Sequence, residues 1–305
     1  MPLESDVPSP PAGKPPLAEP RVLPLPPPPP LPLAHGELTE KDAAELRGLK
    51  GQIQERVGVV CEGYKEKCLR RRLAVRMRAR RVHGYAQYAA LLETDESEYA
   101  RLVDAITINV SKLYRNPEVW EATARIVLPE LARIRPGPIR IWSAGTAGGE
   151  EAYTLALLVL DHGPAVGLNP GRVKVLGTDV DVRTLEIARA AEYGPFAFTE
   201  IPEDVRERWF EGPERTRVRA EARRMVEFRE LDLMRDPYPR AQHLIVCRNV
   251  IIYFERVVQE AIFQRFHESL APEGFLLLGK VEALFGPVAG AFRTLANRER
   301  LFQRL

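Results

Sequence analysis

From residue 139 onward the chain alternates short apolar runs with helical stretches, and this alternation restricts the fold more than any other feature. Ile139 to Ala144 and Val173 to Thr178 have the length and apolar content of buried strands. Helical patterns follow them, from about Glu150 to Asp161 and from about Arg183 to Ala191. Strands and helices that alternate at this spacing predict an α/β fold, with a parallel sheet and helices on both of its faces.

The rest of this region extends the pattern and then departs from it. Three more strands and one more helix are predicted, at Val226 to Leu231, His243 to Cys247 and Phe275 to Gly279 for the strands and at Val257 to Leu270 for the helix. The C-terminal end differs, because Phe292 to Leu295 and Leu301 to Leu305 are separated only by a short polar connection. These two runs predict a β-hairpin that closes one edge of the sheet.

The N-terminal segment has the opposite character. Residues 1–36 contain 14 of the 27 prolines and almost no periodic apolar positions. A segment of this composition cannot build a core, so we predict a disordered, proline-rich tail. The tail is either an extended tether or a docking segment for a partner that the sequence does not name, since polyproline II segments bind aromatic grooves.

From Gly36 to about Tyr99 the sequence has a helical pattern, which begins with Thr39 as a candidate N-cap and Asp42 three residues further on. Within this pattern, residues 65–81 contain nine Lys or Arg and a single acid, Glu66. The apolar side of this basic helix is predicted to consist of Leu69, Leu73, Val75 and Met77. The basic helix is either a solvated surface or a binding surface for an acidic partner, protein or nucleic acid.

Composition excludes several classes of protein. The net charge of +2 provides no attraction of the whole chain towards nucleic acid or acidic membranes. Cys61, Cys68 and Cys247 are too few for a disulfide framework and match no zinc spacing, so we expect a reducing compartment and no metal. The chain has no apolar run of the roughly 20 residues that a membrane-spanning helix needs, and no signal peptide pattern. We therefore expect a cytoplasmic protein without membrane insertion.

A ligand site is predicted at one edge of the sheet, because ligands of parallel α/β sheets bind beyond the carboxyl ends of the strands. The loop from Gly145 to Glu151 follows the first strand, and Asp179, which can accept hydrogen bonds from both hydroxyls of a ribose, follows the second. Glycine leaves room where a ligand crosses the backbone, whereas Glu150 and Glu151 at the helix start would repel a diphosphate. A ligand with a cationic amino group fits better, and S-adenosylmethionine has this character. The alternative is a glycine-rich turn in a non-enzymatic α/β domain.

Two further motifs frame this site, Thr107 to Pro117 before the sheet and Cys247 to Phe254 after the fourth strand. Shorter matches accompany them at Ile141 to Gly145, Gly149 to Tyr153, Asp179 to Asp181 and Gly274 to Gly279. Together these motifs resemble the chemotaxis receptor methyltransferases of the CheR family, from about Leu38 to Leu305. The resemblance implies a Rossmann-like class I S-adenosylmethionine-dependent methyltransferase sheet with an N-terminal helical domain and a small inserted β-subdomain.

The resemblance also implies domain limits and an activity. The helical domain would span residues 37–113 and the methyltransferase domain residues 114–305, with the β-subdomain inserted at 194–228. The activity would be methyl transfer from S-adenosylmethionine to glutamate side chains on the cytoplasmic helices of chemoreceptors, for sensory adaptation. The products would be glutamyl methyl esters and S-adenosylhomocysteine. The basic helix would then face the acidic receptor helices, and we expect a monomer.

Site residues follow from the same motifs. Asn109, Ser111 and Arg115 would line the methionine end of the cofactor, and Glu151 together with Glu150 would meet its amino group or the loop around it. Gly145 would pass beneath the cofactor, and Asp179 would hold the ribose. Asp232, Leu233, Asn249 and Val250 would flank the adenine and the sulfonium. Arg115 and Tyr253 would lie next to the transferred methyl as the catalytic residues.

The chain departs from the family pattern in three places. Thr146 to Gly149 lacks two hydroxyls that the family loop usually has, so cofactor affinity is the property that this change affects. Asp232 replaces a common Asn, and Lys280-Val281-Glu282 replaces His-Ser-Glu. In the insert, Arg217 to Arg219 and Met225 to Phe228 are predicted to supply strands. The short segment from Phe210 to Arg215 predicts that no receptor C-terminal peptide is bound.

Two other functions compete with this interpretation. A nucleic-acid methyltransferase has the same fold, but methylation of base amino groups typically uses an Asn/Asp-Pro-Pro-aromatic motif where this chain has Arg248 to Ile251. Asp236-Pro237-Tyr238 precedes the strand and is interpreted as a turn, and Cys247 lies in an apolar run, so we predict a buried cysteine and no nucleic-acid partner. The second competitor is a catalytically weak module that binds S-adenosylmethionine or its product.

Overall fold

The computed structural model describes residues 36–107, 109–134 and 137–305. The predicted proline-rich tail, apart from Gly36, lies outside the described residues.

The first helices are α1 (Glu40–Val57), α2 (Glu66–Ala79), α3 (Tyr85–Thr94), α4 (Glu96–Thr107) and α5 (Pro117–Arg133). The following elements are β1 (Ile139–Ala144), α6 (Glu150–His162), β2 (Val173–Asp179), α7 (Val182–Ala190), α8 (Glu203–Trp209), β3 (Phe210–Glu211), β4 (Arg217–Val218), α9 (Ala220–Arg223), β5 (Val226–Glu230), β6 (Gln242–Cys247), α10 (Arg256–Ser269), β7 (Leu270–Leu278), β8 (Phe292–Ala296) and β9 (Leu301–Arg304). Short 3₁₀ turns lie between some of them, including Pro195–Phe198 and Ile251–Tyr253.

Within the described residues, seven strands form one sheet in the order β5-β2-β1-β6-β7-β9-β8. The five strands from β5 to β7 are parallel, whereas β9 is antiparallel to β7 and to β8. The predicted parallel sheet with a C-terminal hairpin is therefore confirmed. Strand β7 begins at Leu270, five residues before its predicted start, because Leu270 pairs with Gln242 before an irregularity that contains Glu273 at φ 58°.

Two apolar cores cover the two faces of the sheet. Successive strand residues point to opposite faces, so Trp142 packs with α1 to α4 and α10, while its neighbour Ile141 packs with α5 and α6. Trp142 is fully buried and donates a hydrogen bond from Nε1 to Thr178 Oγ1 at 2.9 Å. The N-terminal helices are thereby continuous with the core on one face of the sheet.

The start of α1 agrees with the sequence. Thr39 caps the helix, because its Oγ1 accepts a hydrogen bond from the Asp42 backbone N–H at 3.1 Å. The same hydroxyl donates to Asp42 Oδ2 at 2.6 Å. Gly58 ends α1 in the left-handed conformation, at φ 75°.

Helix α2 is the predicted basic helix, but many of its cations face inward. Leu69, Leu73 and Met77 are buried as predicted, whereas Val75 is 55 % exposed. That placement of Val75 was wrong, because a residue two positions from 73 and 77 lies on the opposite side of a helix. Arg76 donates from Nε and Nη2 to both oxygens of the buried Glu98 carboxylate, at 2.9 and 2.8 Å.

The inserted segment contains a smaller sheet than predicted. Strands β3 and β4 have two residues each and pair antiparallel, with Phe210 opposite Val218. The prediction that Met225 to Phe228 supplies a strand of the insert was wrong, because β5 pairs in parallel with β2 as an edge of the main sheet. The Phe228 ring lies over Gly177, where any side chain would collide with it.

No helix in the described part of the chain is both long enough and apolar enough to cross a membrane. Residues 36–107, 109–134 and 137–305 also contain no cluster of three or more His, Cys, Asp or Glu side chains that could bind a metal ion. Cys247 is fully buried in β6, and burial raises the pKa of its thiol well above the usual value. It is therefore a poor nucleophile, as its apolar neighbours in the sequence predicted.

Candidate active site

A pocket lies at the carboxyl edge of the parallel strands and brings together residues from six separate parts of the chain. All the residues predicted for the site except Glu150 line it, namely Asn109, Ser111, Arg115, Gly145, Glu151, Asp179, Asp232, Leu233, Asn249, Val250 and Tyr253. Glu150 is buried against Gly148 in the adjoining loop. The pocket also contains residues that the sequence analysis did not assign to it, including Tyr64, Trp120, Leu231, Met234, Arg248 and Phe254.

Backbone hydrogen bonds shape the loop after β1. The N–H groups of Gly145 and Thr146 both donate to Thr178 O, at 2.8 and 2.9 Å, which bends the chain sharply away from the strand. Gly145 has φ 76°, and a side chain there would collide with Val250. Glycine is therefore required at this position both for its conformation and for the close approach of the β6 loop.

Asp179 at the end of β2 stabilises the same loop. Its Oδ2 accepts a hydrogen bond from the Ala147 N–H at 2.9 Å, and its Oδ1 accepts one from the Asp181 N–H at 3.1 Å. Burial raises the pKa of this carboxyl above its usual value, and the backbone donors oppose the rise. Asp181 in turn accepts a hydrogen bond from Asn109 Nδ2 at 2.6 Å, so two predicted site residues belong to one network.

Glu151 places a buried carboxylate at the first turn of α6, inside the pocket. Its Oε1 accepts a hydrogen bond from Ser143 Oγ at 2.8 Å, and its Oε2 lies 3.7 Å from Arg248 Nη1. Burial raises the pKa of Glu151 to about 7, although Arg248 opposes the rise, and burial lowers the pKa of Arg248. Burial thus disfavours the charged form of each side chain, and a cationic ligand group beside Glu151 would stabilise its carboxylate.

Arg115 lies on a loop whose main chain is held by side chains. Tyr114 and Asn116 on either side of it both have positive φ, 54° and 60°. The carbonyl oxygen of Arg115 accepts hydrogen bonds from Trp120 Nε1 and Arg248 Nη2, each at 3.0 Å. Arg248 also lies over the Trp120 ring, 5.0 Å from its centroid, so one buried arginine supports both Glu151 and the Arg115 loop.

Contacts from the N-terminal helical region hold Tyr253 in place. The Arg72 guanidinium of α2 lies 4.1 Å from the centroid of the Tyr253 ring, and the Lys65 N–H donates to Tyr253 O at 2.8 Å. Arg72 is buried, and its Nε and Nη2 have no hydrogen-bond partner among the described residues. In the sequence Arg72 is one arginine of a basic helix, and its place beside Tyr253 depends on the packing of α2 against the 3₁₀ turn at Ile251–Tyr253.

Glu282 organises the loop after β6. Its buried carboxylate accepts hydrogen bonds from four backbone N–H groups, those of Gly279, Asn249, Val250 and Ile251, at 2.6 to 3.0 Å. This contact sets the positions of Asn249 and Val250, which line the pocket. The sequence indicated Glu282 only as the last residue of Lys280-Val281-Glu282, where the family motif also has a glutamate.

The site has the chemistry of a pocket for a nucleoside with a cationic tail. Asp179 and Glu151 provide buried carboxylates, and Leu231, Leu233 and Val250 provide apolar walls for a flat ring. Such a ligand matches the donor set, because buried carboxylates bind ammonium and hydroxyl groups and apolar walls bind an aromatic base.

Comparison with known proteins agrees with this geometry. The family model described as "CheR methyltransferase, SAM binding domain" matches residues 109–300, and "CheR methyltransferase, all-alpha domain" matches residues 44–107. A chemotaxis protein methyltransferase of Salmonella typhimurium is 34% identical over 248 residues, covering 78% of this chain and 83% of that protein. The protein of that name in Escherichia coli is 33% identical over 81% of this chain and 87% of its own length, and that of Listeria monocytogenes is 31% identical over 80% and 92%. The chain therefore belongs to the CheR methyltransferase family and is an enzyme, a chemotaxis methyltransferase with an S-adenosylmethionine-binding domain.

Proposed function

We propose that this enzyme methylates glutamate side chains on the cytoplasmic helices of chemoreceptors, forming glutamyl methyl esters and S-adenosylhomocysteine. The observation that carries the proposal is the convergence of Arg115 and Tyr253 on the pocket that contains Glu151 and Asp179. A cofactor held by those two carboxylates would lie next to both predicted catalytic residues. The two family matches, at residues 44–107 and 109–300, support division into a helical domain at 37–113 and a methyltransferase domain at 114–305. We also propose that the enzyme is located in the cytoplasm.

The cofactor supplies an electrophilic methyl group on a positively charged sulfur. In the proposed complex Glu151 would accept hydrogen bonds from the cofactor ammonium, and Asp179 would accept them from the ribose hydroxyls. Asn109 and Ser111 would lie at the methionine end, and Asp232 and Leu233 with Asn249 and Val250 would flank the adenine and the sulfonium. These assignments follow the family motifs, and the lining of the pocket supports them.

The acceptor needs no general base. A glutamate carboxylate has an unperturbed pKa of about 4.3 and is already ionised near neutral pH. Catalysis then depends on aligning the carboxylate oxygen with the methyl carbon and the sulfur, which in well-oriented systems contributes up to roughly 7–11 kcal/mol. We assign this alignment to Arg115, which attracts the carboxylate, and to Tyr253, whose hydroxyl provides a weaker hydrogen bond.

The exposed side of α2 is the proposed contact for the receptor. Arg70, Arg72 and Arg76 are engaged inside the molecule, whereas Lys67, Arg71 and Arg78 of α2, together with Arg81 just after its end, are exposed. A glutamate-rich receptor helix would be attracted to these four cations, mainly through the rate of encounter. The short β3 and β4 strands support the expectation that a receptor C-terminal peptide is not gripped by the insert.

Two successive measurements test the proposed function. Calorimetric titration with S-adenosylmethionine and S-adenosylhomocysteine is expected to show saturable binding, and labelled methyl is expected to transfer to a receptor cytoplasmic fragment. Label that is released by mild base identifies a glutamyl methyl ester. Binding without transfer to any receptor fragment would favour a cofactor-binding module, and label on nucleic acid would contradict the proposed substrate.

A further inference from the structure

Glu200 lies in the inserted segment, just before α8, and contacts both ends of the loop that carries Arg115. Its Oε2 accepts a hydrogen bond from the Asn116 backbone N–H at 2.8 Å. Its Oε1 accepts one from Lys112 Nζ at 3.0 Å. The Lys112 ammonium also lies 4.8 Å from the centroid of the Phe196 ring, which belongs to the same insert. One carboxylate thus joins the residues before and after Arg115.

The loop needs such a contact because its backbone is locally unfavourable. Tyr114 has φ in the left-handed region, where a bulky side chain is crowded by the backbone, and Asn116, a residue type that adopts this region more readily, is left-handed as well. A conformation of this kind persists only when the surroundings hold it in place. Without its anchors, the loop would relax and move the Arg115 side chain relative to the pocket.

The insert contributes one more anchor, the Ala197 carbonyl, which accepts a hydrogen bond from the Leu113 N–H at 3.0 Å, and the remaining anchors come from outside the insert. Trp120 and Arg248 donate to the Arg115 carbonyl, and Arg248 Nη2 also donates to Asn116 Oδ1 at 2.9 Å. Thr154 on α6 accepts a hydrogen bond from the Tyr114 N–H at 3.0 Å. Glu200 approaches the loop from the insert, and it is the acceptor for the Asn116 N–H.

The electrostatics agree with this geometry. Burial raises the pKa of Glu200, but the Asn116 N–H, Lys112 and Arg115 lower it by more, so the net direction is downward. The carboxylate is therefore ionised at neutral pH, when its hydrogen bonds to the loop are strongest.

We propose that Glu200 is a positioning residue, which holds the Arg115 loop so that the guanidinium meets the methyl-accepting carboxylate. The inference rests on the proposed function of Arg115 and adds a residue that the family motifs did not indicate. Because Glu200 acts through Arg115, its loss should impair methyl transfer while leaving the cofactor end of the pocket intact.

The test compares Glu200→Ala with Glu200→Gln in the full-length enzyme. The glutamine retains an oxygen that can accept the Asn116 N–H, whereas alanine removes it. We expect Glu200→Ala to lower kcat about tenfold, with the Kd for S-adenosylhomocysteine changed by less than about twofold. Glu200→Gln should recover most of the lost kcat. Glu207→Ala is the matched control, since Glu207 pairs with Arg215 at 3.0 Å in the same insert but away from the loop.

Three results would overturn the inference. They are a kcat for Glu200→Ala within about twofold of wild type, equal losses in the alanine and glutamine variants, and a parallel loss of cofactor affinity, which indicates a general structural role. The proposed function fails separately, because it fails if the wild-type enzyme itself transfers no methyl to receptor fragments. Failure of the Glu200 inference requires an active wild type whose variants behave in one of these three ways.

Discussion

The two halves of the pocket are held in different ways. The loop after β1, which contains Gly145, is held at the end of the neighbouring strand β2 by two backbone hydrogen bonds to Thr178 O and by one from the Ala147 N–H to the Asp179 carboxylate. The loop around Arg115 is held by side chains from distant segments, Arg248 and Glu200 among them. Sheet geometry therefore sets the first half, while the second depends on individual side chains, so substitutions in the two halves should have different kinetic signatures.

The largest effect is expected from Arg115→Ala. Removal of the guanidinium should lower kcat about 100-fold, because the acceptor carboxylate loses its charged partner at the point of transfer. Binding of S-adenosylhomocysteine should change by less than about threefold, since Asp179 and Glu151 hold the cofactor. The measurements are methyl transfer to a receptor fragment and calorimetric titration. Unchanged turnover in Arg115→Ala and also in Tyr253→Phe would remove the catalytic assignment of both residues.

Glu151→Gln should weaken cofactor binding more than it lowers turnover, which is the reverse of the effect expected for Arg115→Ala. Loss of this buried carboxylate removes the partner of the cofactor ammonium and leaves Arg248 buried beside a neutral group, so Kd for S-adenosylmethionine should rise about 30-fold. At saturating cofactor, kcat should stay within about fivefold of wild type. Calorimetry and initial rates measure the two quantities. A large fall in kcat with normal affinity would show that the two halves of the pocket are not separable in this way.

Tyr253→Phe should have a smaller effect than Arg115→Ala. The ring and its contact with Arg72 remain, and only the hydroxyl is lost, so we expect kcat to fall about tenfold with little change in Kd. Initial rates at saturating cofactor measure this effect. A fall as large as that of Arg115→Ala would assign the main alignment of the acceptor to the hydroxyl.

The smallest effect concerns stability in the half held by the backbone. Burial raises the pKa of Glu150 to about 7, and the nearby Glu151 carboxylate adds to the rise. A raised carboxyl pKa means that the folded protein binds more protons than the unfolded chain between about pH 4.5 and 7, so this group lowers stability as pH rises through that window. Between pH 5 and 8, the free energy of unfolding should fall by about 1–3 kcal/mol more in wild type than in Glu150→Gln. Urea denaturation at both pH values measures the difference, and equal falls in the two proteins would contradict it.

The fold was predictable from the sequence to a large extent. The strands β1, β2 and β6 and the helices α6 and α10 begin and end within one or two residues of their predicted limits, because apolar runs and helical periodicity are local signals. The errors occurred where a local pattern suits two partners. Met225 to Phe228 has the pattern of a strand in either the insert or the main sheet, and only its pairing with β2 decides between them.

The residues that line the site were predictable from the sequence, whereas the contacts that hold them in place were less so. Arg115, Asp179 and Tyr253 were identified from motifs, and the structure places them on one pocket, although their chemical roles stay predictions. Glu200 and Arg72 carried no such signal. An acid in an inserted segment and an arginine in a basic helix are ordinary surface patterns until folding brings them beside Asn116 and Tyr253.

The sequence by itself therefore determined the parallel α/β architecture, the family and the set of residues at the strand ends, because each depends on patterns contained within short stretches of chain. The tertiary structure decided which charges of α2 face inward, which strand joins the main sheet and which side chains hold the Arg115 loop. The physical reason is that those features depend on contacts between segments far apart in sequence. Asn116 and Glu200, 84 residues apart, are joined by one hydrogen bond that no local pattern encodes.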